Sequence, residues 1–291
     1  MTKMKSLLPA IAVLASAAVP SMALAEPIQE WSFTISNQWD QDNTAWVGNG
    51  STPADAFGSG STLPDGADPA GDYAFVRWGS PENSGGNRSF LAADTNLTQS
   101  SVFTNGAGAA GAYFYHGNYS LRTGANYENT LDKTRLISQI EITSVTPTGV
   151  STTINRAFNI DFTETLNSQN GDSLPIEECA GYETWGSAVN VASCPDSFTI
   201  DTSALRFTTE AIDGYVYDFT VAFDLSTLDG IVGVGFDGDL ATIWTSEGIL
   251  SRIGTIVTVT AREVPEPGSI ALLGAGLLTT GLGLRRRRRA R

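Results

Sequence analysis

The chain has 291 residues and a formal net charge of −14, with 31 acidic residues against 17 basic ones. That acidity excludes electrostatic binding to nucleic acid or to an anionic membrane surface, and 41 % hydrophobic residues are enough to build a real core. A single histidine excludes histidine-rich metal sites and leaves one histidine-based triad arithmetically open.

The first element is an address. Lys3 and Lys5 form a basic start, Leu7 to Val19 is apolar apart from Pro9 and Ser16, and Ala23-Leu24-Ala25 is a small-residue cleavage site. Residues 1–25 are therefore expected to be a secretory signal peptide, with the mature chain starting at Glu26. Between Glu26 and Val264 stand nine basic and thirty acidic residues, a formal −21. Such a body stays soluble and repels copies of itself.

Within the body (26–263) the hydrophobic period is two almost everywhere. Glu30 to Ile35 places Trp31, Phe33 and Ile35 on one face of a strand. Gly48 to Gly71 is rich in Gly, Ser, Pro, Ala and Asp and is expected to be a long loop with little capacity to pack. Tyr73 to Trp78 is an aromatic strand, Pro81 to Asn87 a turn cluster, and Asn105 to Ala112 a tight loop or a closely packed strand edge. Leu136 to Val145, Phe158 to Phe162, Phe198 to Ile200, Ile231 to Phe236 and Ile253 to Thr260 are further strands. The longest alternation runs from Tyr215 to Leu225, bracketed by the turn signals Asp213-Gly214 and Asp229-Gly230. No amphipathic helix and no internal repeat is visible. The expected fold is all-β, a single β-sandwich or jelly-roll-like domain.

Three groups of residues invite a chemical reading. Cys179 and Cys194 are the two cysteines of an exported chain and are expected to form a disulfide, closing a loop that holds Tyr182 and Trp185. These two aromatics are the candidate ligand-stacking pair for a sugar ring, and Trp39 and Trp46 are a second platform. His116 lacks a G-x-S-x-G elbow to serve and is read as structural, so no catalytic residue is assigned. Glu164 and Glu183 are the carboxylates available for glycoside hydrolysis, with nothing in the sequence to select them. No cofactor is expected. Calcium is the one metal the acidic turns at Asp213, Asp229 and Asp237-Gly238-Asp239 admit, and none has the spacing of a known calcium loop.

The last element, 264–291, is a second address. Pro265-Glu266-Pro267 is a rigid hinge, residues 269–284 are uncharged, and Arg285 to Arg289 form a basic block. A helix over the uncharged run rises about 24 Å, a marginal span of the roughly 30 Å hydrocarbon core. The arginines hold its end in the cytoplasm. This order resembles the PEP-CTERM sorting signal of exported bacterial proteins. The resemblance implies an exosortase as partner, with processing at the Pro-Glu-Pro region; a plain C-terminal anchor is the alternative. It also implies export through the inner membrane to the surface or extracellular matrix of a Gram-negative bacterium.

The body carries a second resemblance. Tyr115-His116-Gly117-Asn118, Phe162-Thr163-Glu164-Thr165-Leu166-Asn167, Cys179, Cys194-Pro195-Asp196-Ser197-Phe198 and Gly235-Phe236 resemble the landmarks of the THxN family of PEP-CTERM proteins, with Tyr115 in place of its threonine. His116, Asn118, Glu164 and Asn167 are the family-motif residues, and the family implies no assigned activity. The expected function is a structural or adhesive matrix protein, not an enzyme. The alternatives are a carbohydrate-binding module for extracellular polysaccharide and, ranked last, a secreted hydrolase.

Overall fold

Alternating apolar residues make this chain a set of half-buried strands, and two large antiparallel sheets bury those faces against each other. The computed structural model describes residues 26–67, 71–122, 125–165, 174–175, 190–191 and 194–264. Strand labels run in chain order. The first sheet reads β7 (Leu97–Phe103), β1 (Glu30–Trp39), β10 (Thr130–Thr146), β11 (Ser151–Thr163), β14 (Asp196–Asp201), β18 (Leu240–Thr245) and β17 (Ile231–Asp237), with β2 (Ala45–Val47) also on β10. The second reads β3 (Phe57–Gly60), β4 (Asp72–Trp78), β6 (Ser89–Thr95), β8 (Ala109–Asn118), β19 (Ile249–Glu263), β16 (Tyr215–Asp229) and β15 (Arg206–Thr208). Two short ribbons pair β5 (Ser80–Pro81) with β9 (Leu121–Arg122) and β12 (Leu174–Pro175) with β13 (Asn190–Val191).

The core lies between the sheets. On β1 every second residue points inward, so Phe33 faces Ile142 and Ile35 faces Ile140 across the β1–β10 ladder. Trp31 reaches the other sheet, edge-on to Tyr217 at 5.0 Å and to Phe219 at 5.3 Å. The expected face of β16 is buried at Tyr217, Phe219 and Val221, but at its far end Leu225 is exposed, because the strand has run past its covering sheet. The turn before it takes a left-handed pair, Asp213 at φ 49° and Gly214 at φ 83°, as an Asp-Gly hairpin turn requires.

The stretch from Gly48 to Gly71 departs from expectation. It contains β3, and Leu63 and Ala56 within it are buried. Leu63 belongs to a second apolar cluster on the outer face of the second sheet, with Tyr73, Phe90, Ala92 and Tyr115. The loop packs because that face is aromatic and needs a cover. Asn105 to Ala112 likewise leads into β8, an interior strand and not an edge. A Cβ at Gly108 or Gly111 would meet Ile256 or Thr255 at 2.5 and 2.4 Å, so small residues let β19 approach. The signal segment, Cys179, Tyr182, Glu183, Trp185, Asn167 and the tail from Pro265 on lie outside the described residues. Among the described ones no helix is long and apolar enough to cross a membrane.

Candidate functional site

At one end of the sandwich five strands from both sheets bring polar side chains into the interior. β8 contributes His116 and Asn118, β4 contributes Trp78, the residues after β11 contribute Glu164 and Thr165, β14 contributes Asp196, and β18 contributes Thr245. His116, Asn118, Asp196 and Thr245 are all buried. Glu247 follows β18 and accepts from Ser120 Oγ at 3.1 Å.

Gly117 is what lets β8 deliver two polar residues inward around it. The Phe90 ring lies across it, and a Cβ there would come within 2.2 Å of that ring. Tyr115 points the other way, into the outer aromatic cluster, edge-on to Tyr73 at 5.4 Å. Tyr115 thus serves a different face from His116 and Asn118.

Hydrogen bonds tie these side chains to one another. His116 Nδ1 and Thr245 Oγ1 share a hydrogen bond of 2.7 Å, and Thr245 Oγ1 also lies 3.3 Å from the Asp196 carbonyl. His116 Nε2 is shielded from solvent and has no hydrogen-bond partner. Trp78, Phe162 and Phe198 surround the imidazole with ring centroids 5.5 to 5.9 Å away. Burial drives its pKa down to about 3, which keeps it neutral and unfit to act as a general base at ordinary pH.

The carboxyl groups are in the opposite position. Asp196 Oδ1 accepts from Thr165 N at 2.7 Å and Thr165 Oγ1 at 2.9 Å, whereas its Oδ2 has no partner. Glu164 Oε2 accepts from Trp78 Nε1 at 3.4 Å, a long bond, and its Oε1 is shielded and unpartnered. Asn118 Nδ2 donates to the Thr245 carbonyl at 3.3 Å, leaving its Oδ1 without a donor. Burial and then the Asp196 and Glu247 charges raise the Glu164 pKa well above the carboxylate range. Burial lifts Asp196 to about 8 despite its two hydrogen bonds from Thr165, and the Glu247 charge adds to the rise. Among the described residues, no three His, Cys, Asp or Glu side chains form a ready-made metal cage.

The residues singled out in the sequence are distributed unevenly over this site. His116, Asn118 and Glu164 are brought together, joined by Asp196. Phe236 lies far out on edge strand β17, exposed at 60 %. The carboxylates at Asp213 and Asp239, in turns, and at Asp229 and Asp237, the last residues of β16 and β17, are all exposed. Sequence reasoning missed Thr245 and Glu247, whose only signal is a turn, Ser246-Glu247-Gly248, after an apolar strand. Cys194 is buried and not without a partner, and its carbonyl, 2.7 Å from Thr165 Oγ1, shares that hydroxyl's one hydrogen with Asp196 Oδ1.

A separate open cleft of about 540 Å³ lies elsewhere, between β1, β3 and β4, with Gln38, Gln41, Phe57, Asp72, Phe75 and Asn96 on its walls. Trp39 is not a stacking platform there. The alternation of β1 turns it inward, and its Nε1 donates to the Ala74 carbonyl at 3.0 Å. Trp46 is half-buried, edge-on to Phe57 at 6.3 Å.

The end of the chain decides what this body is attached to. Residues 263–288 match the PEP-CTERM protein-sorting motif. The chain carries a PEP-CTERM sorting tail. That motif implies an exported protein with an exosortase as its sorting partner and a membrane-anchored C-terminal tail. No curated protein matches the chain. The PEP-CTERM tail begins as β19 ends at Glu263, so the sorted segment continues directly from an interior strand of the second sheet.

Proposed function

We propose that this PEP-CTERM protein is a structural or adhesive component of the bacterial surface or biofilm matrix, without enzymatic activity. The observation that carries the reading is the join between tail and body. The sorting motif continues from β19, which is laddered to β16 on one side and β8 on the other. Tension on a tethered tail enters the β16 ladder at the Glu263–Tyr215 pair and reaches the β8 ladder from Val257 inward, a suitable arrangement for a body held at a surface. Kinship with the THxN family is part of the proposal, and the meeting of its His116, Asn118, Glu164 and Asp196 landmarks at one site supports it. A Cys179–Cys194 disulfide would close the loop between the two cysteines and stabilise the body by about 3 kcal/mol in the chain-entropy model. Deleting the gene and measuring matrix and floc formation tests the role. A loss restored by the intact gene is expected, and unchanged flocs would refute it.

A second reading, a carbohydrate-binding module, rests on the cleft at Gln38, Gln41 and Phe75. Amide groups there can bond sugar hydroxyls while the half-buried Phe57 and Phe75 offer ring faces. Tyr182 and Trp185 belong to the same reading. Isotherms against the host's exopolysaccharide should show binding that Phe75→Ala weakens, and flat isotherms would dispose of it.

A further inference from the structure

The buried polar cluster leaves several side-chain atoms without partners. Asn118 Oδ1, Glu164 Oε1, Asp196 Oδ2 and His116 Nε2 are shielded from water, and none has a hydrogen-bond partner. Asn118 and Asp196 are fully buried, at 0 % exposure each, and the other end of the Asn118 amide is already tied to Thr245. Leaving such groups unmade is costly, and an ion or water missing from the account is the ordinary explanation. The charge is one-sided too. None of the four ion pairs among the described residues involves Glu164 or Asp196. The chain has no lysine or arginine from residue 157 to residue 205, so the segment joining Glu164 to Asp196 cannot supply one.

We propose that this end of the sandwich binds one calcium ion through the Asn118 amide oxygen and the Glu164 and Asp196 carboxylates, completed by main-chain oxygen and water. Oxygen-only donor sets that mix carboxylate, amide, carbonyl and water are what calcium takes. The charge of Glu247 adds to the attraction. Because the donors come from β8 of one sheet and from the ends flanking β11 and β14 of the other, the ion would staple the two sheets at a place held otherwise by neutral hydrogen bonds. This inference does not depend on the matrix role.

Trp78 supplies a built-in reporter, since its Nε1 already bonds Glu164. Terbium, which occupies calcium sites, should give tryptophan-sensitised luminescence on the isolated exported protein, saturating at one equivalent and displaced by calcium. Trp78→Phe should lose most of the emission while calcium binding by calorimetry persists. Saturating calcium should raise the melting temperature of chelator-treated protein by about 5 °C or more. Glu164→Gln should abolish the shift, and Asp237→Asn, at the exposed end of β17, should leave it intact. Should Glu164→Gln fail to fold, the wild-type stoichiometry and the Trp78→Phe result still decide. Three results would overturn the proposal: no calcium response in the wild type, weak multi-equivalent terbium binding unchanged by Trp78→Phe, or a response selective for zinc.

Discussion

His116 and Asp196 share one pocket and are pushed in opposite directions by the same burial. For His116 the folded pKa lies near 3 against an ordinary 6.5, so its contribution to stability is complete above pH 6.5 and is lost as the pH falls toward 3. For Asp196 the folded value lies near 8 against 3.8, so its contribution is complete below about pH 4 and is lost as the pH rises toward 8. In chelator-treated protein, urea titrations across this range should show stability falling between pH 6 and 8, and Asp196→Asn should flatten that limb. Unchanged slopes in the variant would contradict the assignment. Gly117 offers a steric test at the same scale. Its Cβ would enter the ring of Phe90, itself fully buried, so Gly117→Ala should cost about 1–3 kcal/mol by overpacking, read as a lower urea midpoint. A gain in stability would show that Phe90 moves aside freely. None of this is visible in the string Tyr-His-Gly-Asn. The residues were legible as a motif, but the partner that makes glycine necessary is 27 positions away in β6.

Strands with one wet face were easy to read, and strands with two dry faces were not. β1, β11 and β16 alternate because a single face meets the core, and their inward residues match the sequence pattern. β6 is buried from Ser89 through Ala93, packed on the core inside and on the Leu63 loop outside, so it shows no period of two. β18 has the same difficulty at Ile243, Trp244 and Thr245. The packing of the loop from Gly48 to Gly71 is not legible in its composition, which records its glycines and prolines but not the aromatic face it covers. A pair of phenylalanines tests this division. Phe219 is buried between Trp31 and Phe207, with Phe207 stacked at 4.8 Å, and Phe219→Ala should cost about 3–5 kcal/mol. Phe236→Ala, on the exposed edge, should change stability by no more than about 0.5 kcal/mol. Equal costs in chemical denaturation would mean that the core is not where the two sheets place it.

For the whole molecule, the addresses and the body follow different physical rules, and that governs what a sequence discloses. A sorting tail is linear: hinge, apolar run and arginine block act in the order in which they are written, so the PEP-CTERM motif was readable from Pro265, Glu266 and Pro267 onward. The candidate site is assembled from β4, β8, β11, β14 and β18, so its membership had to wait for the topology, although the landmarks His116, Asn118 and Glu164 pointed to it. The excess of acid between Glu26 and Val264 keeps copies of the body apart in solution, which leaves the tail and any bound cation to decide what the protein holds on to. The most direct test is the intact mass of the native protein, with C-terminal peptide mapping, in the surface and medium fractions. Sorting through the tail predicts chains ending near residues 265–268, with nothing beyond. Chains that run intact to Arg291 in the membrane fraction would contradict it and leave a plain anchor.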